Sequence, residues 1–288
     1  MSPFVSQRFG GVLEGPGVVT FPNLEAGQRR PARWAWWFNK LLALRTMNPQ
    51  RDREFRRVTQ VVVAVALAFL AGQLVAVVCQ SVAVALAHPA GGTAVLTSAS
   101  PPWWATASGL VGLWVGFGGG VWLAFSREVV ERIPRPWALH PSDLLYVLLG
   151  VALQGAVAIL YAPFHLAQLS QPVHKIFDGS RGSTFVLLAL MTSLGAPVVE
   201  EWLFRGVLFR GLLGPEPSSR RLWVSAVVSA ALFGLAHGEW IQLPGLFVLG
   251  IVLALVVRRT GRLVPSMLTH VGFNGVALVT LVAQRAHS

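Results

Sequence analysis

The chain has 288 residues, of which 54% are hydrophobic and only 12% are charged. A soluble domain has about 25% charged residues, so this composition and a mean hydropathy of +0.60 exclude an ordinary soluble protein and predict a multi-pass protein of the cell membrane. The net charge of +11 lies beside the hydrophobic segments, which indicates contact with a lipid bilayer and not with nucleic acid.

The first part of the chain is strongly basic and precedes the first hydrophobic segment. Residues 1–57 contain ten Lys/Arg and four Asp/Glu. Because basic flanks of membrane segments stay in the cytoplasm, we predict that this part is a cytoplasmic N-terminal tail. Its stretch 33–45, which mixes aromatics, leucines and cations, is either an interfacial helix or a linker. Residues 58–183 are predicted to form N-terminal transmembrane helices, and residues 184–283 a C-terminal transmembrane core.

The hydrophobic segments predict an all-α membrane protein. A spanning helix needs about 20 apolar residues, and we predict about seven or eight transmembrane helices around a polar intramembrane cavity. Lys and Arg are concentrated in alternate connecting loops, which predicts a cytoplasmic N-terminus. The segments are Val58–Ala87, Trp104–Phe125, Leu144–Phe164, Thr184–Val199 (continuing into the residues that follow), Leu222–Ala236, Ile241–Val257 and Leu263–Val282.

Ionisable and amide side chains interrupt the last hydrophobic segments. An ionisable side chain near the centre of a membrane helix costs about 2.5 kcal/mol or more. Groups of this kind on three of the last four segments therefore predict one shared, buried polar site. The residues are Glu200, Glu201, Arg205, His237, His270 and Asn274.

The spacing of these residues predicts which side chains meet. Glu201 and Arg205 are four residues apart and can pair on one helix face, whereas Glu200 is rotated by about 100° and stays available. A glutamate in an apolar pocket becomes a usable base near neutral pH. His270 and Asn274 also share one helix face. Taken singly, Glu201 with Arg205 is better explained as a structural ion pair and His237 as a packing residue, and His270 with Asn274 could form an interhelical hydrogen-bond clamp.

Taken together, the side chains support amide hydrolysis by one of two routes. A carboxylate and a histidine can hold and deprotonate a water molecule, while a second histidine and an asparagine stabilise the oxygen of a tetrahedral intermediate. Alternatively, Glu200, His237 and His270 could ligate a divalent metal such as zinc, because two His and one Glu match catalytic zinc sites in ligand type. The His-Glu-x-x-His spacing of many zinc proteases is missing. The sequence therefore leaves the cofactor open between none and a metal.

Three strings resemble the motifs of the CPBP family, which contains type II CAAX prenyl endopeptidases, lysostaphin-resistance-A-like proteins and bacteriocin self-immunity proteins. The family patterns are Glu-Glu-x-x-x-Arg, Phe-x-x-x-His and His-x-x-x-Asn/Asp, and all three occur here in that order. The resemblance covers Thr184–Val282, about the last third of the chain. The three matching strings begin at Glu200, Phe233 and His270.

The resemblance implies a membrane-embedded, CAAX-protease-like endopeptidase that opens to the cytoplasmic side, with residues 184–283 as its catalytic part. By motif position, one pair of residues activates water and a second pair forms the oxyanion site. The water-activating pair is Glu200 and His237, and the oxyanion pair is His270 and Asn274. The supporting residues are Glu201, Arg205 and Phe233. The family is called a metalloprotease family, yet a metal-free glutamate mechanism has been argued for it, and the oxyanion role suits Asn274 better than metal ligation does.

The expected substrate is a membrane-associated protein or peptide. A prenylated substrate is implied by the resemblance alone. The Ala/Val/Gly/Arg-rich composition looks bacterial, which favours a membrane-associated regulator or a secreted-peptide precursor. Two other functions would use the same polar residues: a non-catalytic immunity or scaffold protein, and a transporter or proton relay.

Overall fold

A computed structural model describes residues 49–124, 137–164, 170–214 and 217–286. Within these ranges every regular element is a helix, so the predicted all-α class is confirmed. The chain divides into two units, Met1–Asp52 and Arg53–Ser288. Most of the first unit, including the predicted interfacial helix at 33–45, lies outside the described residues.

The described residues form a series of helices joined by short connections. Five segments are long and apolar enough to cross a membrane by length and composition, so the predicted count of seven or eight membrane helices is not confirmed. These five segments are Val58–Ala87, Pro141–Phe164, Gly182–Leu213, Leu243–Thr260 and Val264–Ala286. The helices are α1 (Pro49–Ala87), α2 (Trp103–Ala124), α3 (Leu145–Tyr161), α4 (Gln171–Phe177), α5 (Gly182–Leu213), α6 (Ser219–Ala236), α7 (Leu243–Thr260) and α8 (Val264–Ala286).

Helix α5 is longer than the sequence predicts. The hydrophobic pattern ends near Val199 and continues only into the motif, whereas α5 runs on to Leu213. The difference arises because Arg205 does not mark a membrane boundary. Its side chain is fully buried and is neutralised by a glutamate of the same helix.

Helices α1 and α2 pack through small residues. Gly112, Gly116 and Gly120 lie at four-residue intervals along α2. A Cβ on Gly116 would collide with the Cα of Gly72 on α1, and a Cβ on Gly112 would lie 2.5 Å from the Cα of Ala76. Small residues at this spacing let membrane helices approach backbone to backbone, which explains the contact between α1 and α2.

Helices α3 and α8 are also in direct backbone contact. A Cβ on Gly150 of α3 would overlap the carbonyl oxygen of Thr269, and a Cβ on Gly272 of α8 would overlap that of Val147. No larger residue fits at either position without moving a helix. This close contact fixes the position of α8, which carries His270.

Polar contacts hold both ends of α3. At its start, Arg262 donates hydrogen bonds to both carboxylate oxygens of Asp143, one of them at 2.8 Å, and this acceptor raises the pKa of Arg262. At its end, the Tyr161 hydroxyl donates to the Ile241 carbonyl at 2.7 Å and accepts from the Gly245 N–H at 3.1 Å. Helix α3 therefore runs in the same direction as α8, from the start of α8 to the start of α7.

Candidate active site

A buried ion pair within α5 lies at the centre of the site. Arg205 Nη1 donates to Glu201 Oε1 at 2.9 Å, and both side chains are 0% exposed. Arg205 Nη2 donates to the Gly250 carbonyl of α7 at 3.2 Å. The guanidinium carbon lies 4.4 Å from the centre of the Phe233 ring of α6, within the range of a cation–π contact. The pairing predicted from the four-residue spacing is thus present, and it ties α5 to α6 and α7.

Two π-helical turns flank the glutamates of α5. They are Met191–Gly195 and Trp202–Phe209, on either side of the α-helical turn Ala196–Glu201. In a π-turn a carbonyl can lose its usual donor within the helix, and other helices then supply one. The Ser229 hydroxyl of α6 donates to the Phe204 carbonyl at 3.0 Å. Turns of this kind are frequent at functional sites.

The first π-turn holds Asn274. The Thr192 carbonyl lacks a donor from its own helix because Pro197, five residues later, has no N–H and Ala196 donates to Met191 instead. The Asn274 side-chain amide donates to this carbonyl at 3.2 Å. One amide hydrogen of Asn274 is therefore committed to positioning the side chain, and the second is available to another acceptor.

Both histidines direct one ring nitrogen at the same carboxylate oxygen. Glu200 Oε2 lies 3.9 Å from His237 Nε2 and 3.8 Å from His270 Nε2. The other nitrogen of each ring is held by an acceptor: His237 Nδ1 lies 2.8 Å from the Phe233 carbonyl oxygen. His270 Nδ1 lies 3.2 Å from Glu201 Oε1. Because a carbonyl and a carboxylate only accept, each Nδ1 carries the proton, and Nε2 of each neutral ring is a free base.

Burial divides the site into a supporting side and an accessible side. The side chains of Glu201 and His270 are 0% and 2% exposed, whereas those of Glu200 and His237 are 17% and 29% exposed. Glu200 Oε2 itself is buried and has no hydrogen-bond partner within the described ranges. A substrate would therefore meet Glu200 and His237 first.

The ring of Phe233 holds the neighbouring rings in place. It is fully buried and makes edge-to-face contacts with Phe204, His237 and His270 at centroid distances of 5.4, 4.8 and 5.5 Å. Such contacts fix the relative orientation of rings. Phe233 therefore supports both histidines without taking part in hydrogen bonding through its side chain.

The donor set matches a metal site in kind but not in arrangement. Glu200, His237 and His270 supply zinc-type ligands. In the described part of the chain, however, no group of three or more His, Cys, Asp or Glu residues is arranged to hold a metal ion. The 3.8 and 3.9 Å separations also exceed the spacing of about 3.4 Å between two ligands of tetrahedral zinc. Glu200, His237 and His270 therefore do not fit a zinc ion in this arrangement, and no metal-dependent step is assigned to them.

Comparison with known proteins finds a similarity within this core. Residues 182–276 match the family model of the type II CAAX prenyl endopeptidase Rce1-like proteins. This segment is therefore similar to CAAX prenyl endopeptidases. The resemblance predicted from the three motifs is thus confirmed over this segment, which contains all of them.

The chain is also similar to a curated protein. The chain is 26% identical over 147 residues to the membrane-embedded CAAX protease MroQ of Staphylococcus aureus strain USA300. The alignment covers 50% of this chain and 57% of that relative, so the chain spans a little over half the length of the relative. No solved structure matches the chain.

The sequence did not reveal two residues that hold the site together. Gly250 supplies the carbonyl for Arg205, and a Cβ at this glycine would lie 2.7 Å from the Cβ of Ala230. Thr192 supplies the carbonyl for Asn274. Both residues contribute a backbone carbonyl, and motifs built from side chains do not reveal backbone acceptors. For Gly250, the only indication in the sequence was a glycine inside a hydrophobic helix.

The site lies farther from the α5–α6 connection than the sequence predicts. Glu200 was expected near the inner end of its helix, but thirteen residues separate it from Leu213, a distance of about 20 Å. His237 directly follows the last residue of α6, about 27 Å from the start of that helix. The two residues can meet because α5 continues past the motif and places Glu200 well away from the α5–α6 connection.

Proposed function

We propose that this chain is an intramembrane endopeptidase that hydrolyses a peptide bond of a membrane-associated protein or peptide. The observation that carries the proposal is the convergence of two histidine Nε2 atoms on Glu200 Oε2. The similarity of residues 182–276 to Rce1-like endopeptidases supports the same reaction class. Neither a prenyl group nor a particular sequence is required of the substrate by this geometry.

Glu200 is the general base of the proposed reaction. A water molecule held between Glu200 and His237 loses a proton to the carboxylate as its oxygen attacks the carbonyl carbon of the peptide bond. His237 accepts the second hydrogen bond of this water through Nε2, because its Nδ1 proton is donated to the Phe233 carbonyl. Glu200 then passes its proton to the leaving amine, which restores the carboxylate.

His270 and Asn274 stabilise the oxyanion in this proposal. His270 takes up a proton from solvent and then donates from Nε2, while its Nδ1–H stays hydrogen-bonded to Glu201 Oε1. Asn274 donates the amide hydrogen that Thr192 does not use. A lost oxyanion donor typically lowers kcat by about 10²–10³-fold.

The test is cleavage followed by mass spectrometry in lipid nanodiscs. Wild type and Glu200→Gln are offered a peptide set that includes prenylated cysteines, each with and without a chelator. We expect Glu200→Gln to lower kcat by about 10²-fold or more. Glu239→Gln, a matched change at an exposed acid two residues after His237, should leave kcat unchanged.

The other outcomes are equally informative. Cleavage that persists in folded Glu200→Gln contradicts the glutamate mechanism. Cleavage that a chelator abolishes assigns water activation to a metal. If folded wild type cleaves nothing but conducts protons in liposomes when substrate is added, the polar residues serve a transporter or relay.

A further inference from the structure

Gln154 on α3 is a polar side chain that neither the fold nor the proposed mechanism uses. Its Oε1 atom is buried and has no hydrogen-bond partner in the described part of the chain. A buried amide without a partner destabilises a folded protein. Native structures contain few such groups, and each one needs an explanation.

The contacts of α3 place Gln154 next to the helix that carries the oxyanion residues. Gly150, one turn before Gln154, lies against the backbone of Thr269 and Phe273. Those residues directly precede His270 and Asn274 in α8. Because residues four apart share one helix face, Gln154 projects from the face of α3 that packs on α8.

The contacts on the other side of Gln154 reach the start of α7. Val157, three residues later, is buried, and a Cβ on Gly245 would lie 2.9 Å from its Cγ1. Tyr161 bonds to the backbone of Ile241, four residues after His237. Gln154 therefore lies between the contact of α3 with α8 and the contact of α3 with the start of α7.

We propose that Gln154 binds the main chain of the substrate peptide. A primary amide presents a donor and an acceptor side by side, which matches the C=O and N–H groups of an extended peptide. The inference rests on the proposed function and adds a specificity element to it: recognition of backbone, independent of the side chains of the substrate. Helix α3 lies outside residues 182–276, the segment that matches the family model.

A second intramembrane glutamine provides a matched control. Gln80 on α1 donates from Nε2 to the Ala105 carbonyl of α2 at 3.2 Å, so its amide has a structural partner. We expect Gln80→Leu to lower Tm, because it removes a hydrogen bond that joins α1 to α2. Gln154→Leu should keep or raise Tm, because it removes an unsatisfied buried amide. Both variants are measured in the same nanodiscs.

The kinetic test uses the peptide that wild type cleaves from the set above. Gln154→Leu should raise KM about tenfold with little change in kcat, as expected when a hydrogen bond made in both ground and transition states is lost. Gln80→Leu should leave KM unchanged when rates are corrected for the folded fraction. Methylating the backbone nitrogen that pairs with Gln154 should weaken binding to wild type but not to Gln154→Leu.

Two results would overturn the inference. A Tm that falls in Gln154→Leu as far as in Gln80→Leu assigns Gln154 a purely structural role. An unchanged KM in Gln154→Leu, with cleavage still abolished in Glu200→Gln, rejects backbone recognition but leaves the proposed function intact. Cleavage that persists in Glu200→Gln rejects the proposed function instead.

Discussion

At the scale of single residues, the pair of Glu201 and Arg205 sets the electrostatics of the site. The pair is fully buried, and Glu201 Oε1 is shared between Arg205 and His270. A buried charge without its partner is far more costly than a buried pair. Each of the two residues therefore balances the charge of the other, while Glu200 Oε2 has no hydrogen-bond partner among the described residues.

This arrangement predicts a strong coupling between the two side chains. Arg205→Met should lower the free energy of unfolding by about 3–5 kcal/mol, because it removes the cation that balances the buried Glu201 carboxylate and leaves only the contact with His270. The double variant Glu201→Gln with Arg205→Met should recover most of that loss. Thermal unfolding of wild type, the two single variants and the double variant in one detergent measures the coupling, and additive losses would contradict it.

The sequence predicts the pairs within one helix and fails for those between helices. The four-residue spacing places Glu201 beside Arg205 and His270 on the same face as Asn274. The contact between His270 and Glu201 joins positions 69 residues apart, and no local pattern reports it. For the same reason the backbone acceptors at Thr192 and Gly250 could not be predicted.

At the scale of helices, the π-turn before the glutamates depends on one proline. Pro197 lacks an N–H, and the Thr192 carbonyl is left for Asn274. A hydrophobic pattern does not distinguish an α-turn from a π-turn, so the sequence predicts a plain helix here. The turn also moves Glu200 relative to the helix that precedes it.

Restoring a regular helix should therefore affect catalysis more than stability. We expect Pro197→Ala to lower kcat about tenfold while Tm stays equal or rises, because a regained N–H competes with Asn274 for its acceptor. The measurement compares kcat and Tm with those of wild type. A lower Tm with unchanged kcat would show that the proline serves packing alone.

The crossing of α6 and α7 depends on Gly250. Gly250→Ala should destabilise the protein by about 1–3 kcal/mol, because the new methyl would lie 2.7 Å from the Cβ of Ala230. Gly275→Ala is the matched control, since a Cβ there has nothing within 4 Å. Thermal unfolding of both variants checks the prediction. Equal stability of the two would contradict it.

At the scale of the whole molecule, two sequence-based expectations conflict. The distribution of Lys and Arg predicts a cytoplasmic end at Arg258 and Arg259, and the family resemblance implies a site open to the cytoplasm. The structure places His237 at the opposite end of α7, beside the exposed turn that contains Glu239. The two expectations cannot both hold, because α7 separates the two ends.

Cysteine labelling in intact cells decides between them. Cys79 is the single cysteine of the chain, so Glu239→Cys and Arg259→Cys are made in a Cys79→Ser background. We expect a membrane-impermeant maleimide to label one of the two positions, and the charge distribution predicts position 239. Labelling at 259 alone would reverse the predicted orientation. Labelling of both positions would show that α7 does not separate two compartments.

The unequal lengths of the helices give the surrounding lipid a role of its own. Helix α6 has 18 residues and α5 has 32, or about 27 Å and 48 Å, against a hydrocarbon core of about 30 Å. The turn that joins α6 to α7 begins at His237. A bilayer with a thicker hydrocarbon core would bury this turn in lipid, and a thinner one would expose it to water. Acyl-chain length would then set how readily water and a membrane-associated peptide reach the glutamate, and a cell could tune the proposed reaction by remodelling its lipids.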